Sequence, residues 1–90
     1  MGFFADHFQA NYEDHLIEIE ARFANLFGSV QYDLVVNNKR IDRIEGMLGT
    51  FYLRGHLEEK TIKVTVKQGL AGTRYQLSVD GLDIPLEKKA

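Results

Sequence analysis

The stretch FADHFQANYEDHLIEIEARFANLF, residues 4–27, decides how the rest of the chain is read. Phe4, Phe8, Tyr12, Leu16, Ile19, Phe23 and Leu26 recur at steps of four or three residues, the period of one helix face. Asp6, Gln9, Glu13, Glu20 and Arg22 fall on the other side, and Gly28-Ser29 follows as a stop, with Gly28 suited to a left-handed C′ position. The spacing therefore predicts one amphipathic helix over residues 1–28. A rod made of residues 4–27 is about 36 Å long. Two heptads, running from Tyr12 to Leu26, are too few for a coiled coil.

Beyond Gly28 the pattern changes to short strands and tight turns. VQYDLVV (30–36) alternates Val30, Tyr32, Leu34 and Val36 on one face, and Asn37-Asn38 suits a two-residue hairpin. In the return strand Ile41 and Ile44 stand three apart, which predicts a bulge. Thr50 to Leu57 turns Phe51, Leu53 and Leu57 inward, with Gly55 between them. Thr61 to Lys67 does the same with Ile62, Val64 and Val66, and Thr73 to Val79 with Tyr75, Leu77 and Val79. Asp80-Gly81 is the strongest short hairpin signal, and Pro85 fits a strand end or edge.

The fold class expected is α+β: one long N-terminal helix followed by about six antiparallel strands, in a meander or small β-sandwich. The 90 residues form one domain, with the helix over 1–28, the sheet over 29–87 and a polar tail over 88–90. Strands of six or seven residues span about 20–23 Å, so the rod overhangs its sheet. The overhanging end carries Phe3, Phe4, Phe8 and Tyr12, an apolar patch of the kind that marks a partner surface. A second copy, in a homodimer with two-fold symmetry, is the simplest partner.

Two hairpins also match each other. YDLVVNNKRI from Tyr32 and YQLSVDGLDI from Tyr75 align without gaps, with Tyr, Leu, Val, a turn pair and Ile in common. With the strand ending Gly55-His56-Leu57 and the run IKVTV between them, this order resembles the β-domain repeat of the Fas apoptotic inhibitory molecule family over residues 32–87. That resemblance implies an antiparallel β-domain without a catalytic site, used for protein contacts. Asn38 departs from the Gly usual at the family's first turn, and the N-terminal helix has no counterpart there.

Composition narrows the chemistry. The absence of cysteine excludes disulfides, thiol catalysis and Cys-ligated zinc, and fits a reducing compartment, hence a cytoplasmic location. No apolar run reaches the roughly 20 residues of a membrane span. No basic region precedes the first apolar residues, and Asp6 stands where a myristoylation motif wants Ser or Thr. The formal charge of −2 is split: −4 over residues 1–27 and +2 over 28–90. His7, Asn11 and His15 fall on one helical stripe with Glu18, but the two histidines are then about 12 Å apart, too far for one ion. His15 with Glu18, or Asp14 with Glu18, supplies two ligands and lacks a third, so no metal and no cofactor is expected. His56 beside Glu58 and Glu59 is the one candidate general base. No nucleophile motif or phosphate loop accompanies it, and no enzyme is expected.

The function expected is thus a non-enzymatic protein-interaction module that self-associates through its N-terminal helix. The alternative is polyanion binding, single-stranded nucleic acid for example, on a basic outer sheet face of Tyr52, Arg54, Lys63, Lys67 and Arg74. The slightly acidic chain makes no general case for nucleic acid.

Overall fold

A computed structural model describes residues 5–89 and shows nine β-strands. Among the described residues there is no helix at all, so the expected α+β fold with a long amphipathic helix is replaced by an all-β sandwich. Residues 6–23 form a hairpin of β1 (Asp6–Tyr12) and β2 (His15–Phe23). Its register pairs Phe8 with Ile19 and Ala10 with Ile17. Residues 24–29 form a loop, not a last helical turn.

The reason lies in LIEIEARF (16–23). On a helix Ile17 and Ile19 stand about 200° apart, so one of them must face water. In a strand both turn inward, with Ala21, while Glu18, Glu20 and Arg22 turn outward. Ile17 and Ile19 are completely buried. The turn between the strands, Glu13-Asp14, has positive φ at both residues (46° and 66°), as a type I′ turn requires. It lacks the Gly or Asn that would announce it.

The meander continues through β3 (Val30–Val36) and β4 (Lys39–Gly46). A register shift between Leu34 and Val35 makes room for Ile41, the bulge that the spacing of Ile41 and Ile44 predicts. The chain then crosses to a second sheet of β5 (Gly49–Leu57), β6 (Lys60–Gly69), β7 (Gly72–Val79) and β8 (Leu82–Ile84). It returns as β9 (Glu87–Lys88), part of the expected tail, to pair with β1. The first sheet has the order β4-β3-β2-β1-β9, the second β5-β6-β7-β8, with every pairing antiparallel.

The core lies between the sheets: Ile17, Ile19, Tyr32 and Leu34 from the first meet Leu53, Ile62, Val64, Val66, Leu77 and Val79 from the second. Gly55 faces Ile41 so closely that a Cβ there would come within 2.3 Å of its Cδ1. The residue aligned in the two similar hairpins is shared across the core, since the rings of Tyr32 and Tyr75 touch edge to face at 6.2 Å. The likeness extends to the turns. Leu16 N donates to Asn37 Oδ1 and Asn37 N to Leu16 O; Thr61 N donates to Asp80 Oδ1 and Asp80 N to Thr61 O. Each four-stranded meander carries the same lock at the same place.

Candidate interaction surfaces

Strand pairing divides the connections into two groups. Phe23 pairs with Val30, Val30 with Gly46, Gly49 with Gln68, and Gly69 with Gly72. The β2–β3, β4–β5 and β6–β7 connections therefore share one end of the sandwich. They contain no charged residue: residues 24–29 read ANLFGS, 47–48 read ML and 70–71 read LA. Yet they expose Leu26 (101%), Leu70 (93%), Phe27 (84%), and to a lesser degree Leu48, Met47 and the adjoining Phe23. Asn25 organises the longest of them. Its side-chain Oδ1 accepts from Phe27 N at 2.8 Å and Ser29 N at 3.4 Å, while Ala24 N donates to Ser29 O. With the backbone satisfied inside the loop, Leu26 and Phe27 are left pointing outward. Gly28 turns the chain with φ at 98° beside Met47.

The opposite end holds the turns Glu13-Asp14, Asn37-Asn38, Glu58-Glu59 and Asp80-Gly81, with five carboxylates among them. There Lys60 Nζ donates to Glu13 and to Tyr12 Oη, and lies 5.0 Å from the Tyr12 ring centroid. That contact lowers the Glu13 pKa and raises that of Lys60.

The outer face of the second sheet is basic. Tyr52 is flanked by Lys63 Nζ at 5.0 Å and the Arg54 guanidinium at 6.0 Å from its ring centroid. Lys67 and Arg74 pair across β6 and β7 and line a shallow hollow of about 290 Å³ with Thr65, Tyr75 and Gln76. Among the described residues none of these four cations forms an ion pair with a carboxylate.

The outer face of the first sheet differs in holding carboxylates that engage most of its cations, Arg40 excepted among the described residues. Glu18 and Asp33 are buried there beneath longer side chains. His7 Nε2 lies 2.7 Å from Glu18 and 3.7 Å from Glu20, Lys89 Nζ lies 3.3 Å from Glu18, and Arg22 bridges Glu20 and Asp33. Arg43 grips Asp33 with two hydrogen bonds, and its pKa is raised by them. The ligand atoms of His7, Glu18 and Glu20 fall within 4.8 Å of one another. Lys89 and Arg22 already hold the two carboxylates that an ion would need. Across the core, burial raises the pKa of Tyr75 and of Tyr32, and for Tyr75 its donation to Asp6 Oδ2 at 2.7 Å adds to the effect.

The expected partner patch comes apart. Phe3 and Phe4 lie outside the described residues. Phe8 and Tyr12 turn inward against the core, Phe8 stacking on Tyr75 with centroids 4.8 Å apart. Among the described residues no helix exists to carry the expected homodimer contact. The helical stripe of His7 and His15 dissolves as well: His15 sits at a turn with Asn37 and Glu58, far from the Glu18 cluster in register. His56 is exposed, and Glu58 lies near His15 instead. Tyr52, Arg54, Lys63, Lys67 and Arg74, by contrast, all share one face. Sequence reasoning placed Leu26 on the apolar face of the helix and passed over Phe27, Met47, Leu48 and Leu70 as exposed surface. Their signal was present: GMLG at 46–49 and GLAG at 69–72 put large apolar residues between glycines, in turns where polar residues are the norm.

Comparison with protein-family models, with curated proteins and with solved structures finds no match.

Proposed function

We propose that this protein is a non-enzymatic binding module that holds a phosphate-rich polyanion on the outer face of β5, β6 and β7. One contrast carries the reading: Arg54 and Lys63 flank exposed Tyr52, Lys67 and Arg74 share its face, and none of the four has a carboxylate partner among the described residues, whereas on the other sheet Glu18, Glu20 and Asp33 engage Arg22, Arg43 and Lys89 and leave Lys39, Arg40 and Lys88 without one. Cations on an open, pleated face that hold no carboxylate give up no internal ion pair on binding and are available to phosphates. Tyr52 offers a flat ring between two of them, on which a base or headgroup can rest.

The test is retention on heparin across a salt gradient. Wild-type protein is expected to be retained and to elute at moderate salt. Lys67→Glu with Arg74→Glu should shorten retention sharply, and should lower the slope of log affinity against log salt by about two. Lys39→Glu with Lys88→Glu changes net charge equally from outside the face and should have a much smaller effect. Equal losses from the two pairs would show that net charge, and not this face, is being read.

A further inference from the structure

We propose that the polyanion is the surface of an anionic lipid bilayer, and that the uncharged tips carrying Leu26, Phe27, Met47, Leu48 and Leu70 enter it. This deepens, and rests on, the assignment of the basic face.

Leu26 and Leu70 protrude almost fully, from different loops, and a fluid acyl layer takes up such side chains without complementary shape.

Charge orients the molecule the same way. Lys67 and Arg74 lie three and four residues from Leu70 along their strands, roughly 10–13 Å back from the tip. Apolar side chains of interfacial anchors sink about 5–10 Å into the headgroup and acyl boundary. With the tips at that depth, the two cations stand among the lipid phosphates. The five carboxylates of Glu13, Asp14, Glu58, Glu59 and Asp80 are at the far end, away from the negative surface. One apolar signal with one basic signal is the combination that holds a peripheral protein on a membrane.

Vesicle sedimentation tests this, using phosphatidylcholine alone and phosphatidylcholine with phosphatidylserine. Wild-type protein is expected to pellet with the anionic vesicles and to remain in solution with the neutral ones. Leu26→Asn with Leu70→Asn should weaken vesicle binding about tenfold or more and, adding no charge, leave heparin retention unchanged. Both sites are exposed, so the urea midpoint should not move. The chain has no tryptophan, so Phe27→Trp supplies a single reporter whose emission should shift to the blue on anionic vesicles. Undiminished pelleting of the Leu26/Leu70 variant, or an unshifted Trp, would overturn insertion while leaving the polyanion face standing. Loss of heparin retention in the wild type would remove the face itself. A dimer by light scattering that Leu26→Asp dissociates would mean that a second copy covers the tips, and would overturn the membrane assignment.

Discussion

Ile17 and Leu16 are neighbours, and exchanging each for alanine asks which period governs the first quarter of the chain. A helix built on the four-and-three spacing buries Leu16 and turns Ile17 toward its polar flank. In the sandwich Ile17 is completely buried and Leu16 lies half-exposed on the outer face of the first sheet. Ile17→Ala removes three carbons, worth about 2.4 kcal/mol at roughly 0.8 kcal/mol each. The wall around it, Ile19, Leu34 and Val36 among others, belongs to paired strands that cannot collapse freely. If about 40 Å³ of the hole persists, the cavity adds about 1 kcal/mol at roughly 24 cal/mol per Å³. The sum is about 3–3.5 kcal/mol, a large share of the roughly 5–13 kcal/mol expected for a domain of this size. Leu16→Ala should cost less, about 1 kcal/mol, because on the sheet's outer face its removal leaves no enclosed hole and part of the side chain stays wet. Urea unfolding followed by far-ultraviolet circular dichroism reads both. With a slope of about 1–1.5 kcal/mol per M, the Ile17→Ala midpoint should fall by about 2–3 M, and the Leu16→Ala midpoint by less than about 1 M. A Leu16→Ala loss equal to or larger than that of Ile17→Ala would refute the alternation, and with it the β1–β2 hairpin.

Two further outcomes follow from the turns and the tyrosines. Asp14 holds φ at 66° without being glycine, so Asp14→Gly should relieve left-handed strain and favour the type I′ turn. After the added chain entropy of glycine, a net gain of about 0.5 kcal/mol should raise the thermal midpoint by about 2–4 °C; a lower midpoint would contradict the turn assignment. Tyr75 and Tyr32 are held above the ordinary tyrosine pKa, so the folded state favours their protonated forms. Their contribution is complete below the ordinary value of about 10 and is lost as pH rises through the higher folded values. The urea midpoint should therefore fall above about pH 10, and Tyr75→Phe should flatten that fall. An unchanged profile in Tyr75→Phe would show that its hydroxyl does not resist ionisation.

From Val30 onward the chain could be read strand by strand, because alternation there is broken only at the bulge of β4 and two of its turns carry residues that positive φ favours. Asn37-Asn38 and Asp80-Gly81 are turns with φ between 49° and 81°. The inward positions read in β3, β5, β6 and β7 are the ones that fill the core. The five residues of the basic face could be read too, since alternation alone decides which side of β5, β6 and β7 they take. Within residues 6–23 the one local signal that separated the two readings is the alternation of Ile17 and Ile19 with Glu18 and Glu20. Phe8, Tyr12, Ile19 and Phe23 satisfy a helical step and a strand step alike, and Glu13-Asp14 hides its turn.

What settled the matter lies far along the chain. The inner face of β5, β6 and β7 presents Leu53, Ile62, Val64, Val66 and Leu77 over the breadth of a sheet, and one helical stripe is too narrow to cover it. A second sheet covers it, provided Ile17 and Ile19 both turn inward and β1 and β2 extend the edge of β3. The apolar loop end has the same origin. Leu26 and Leu70 stand 44 residues apart, with Met47 between them, and only antiparallel pairing brings their connections to one end. Local pattern determines which way a side chain points once its strand exists; the choice of strand over helix, and the company each loop keeps, are decided by what the distant half of the chain needs covered.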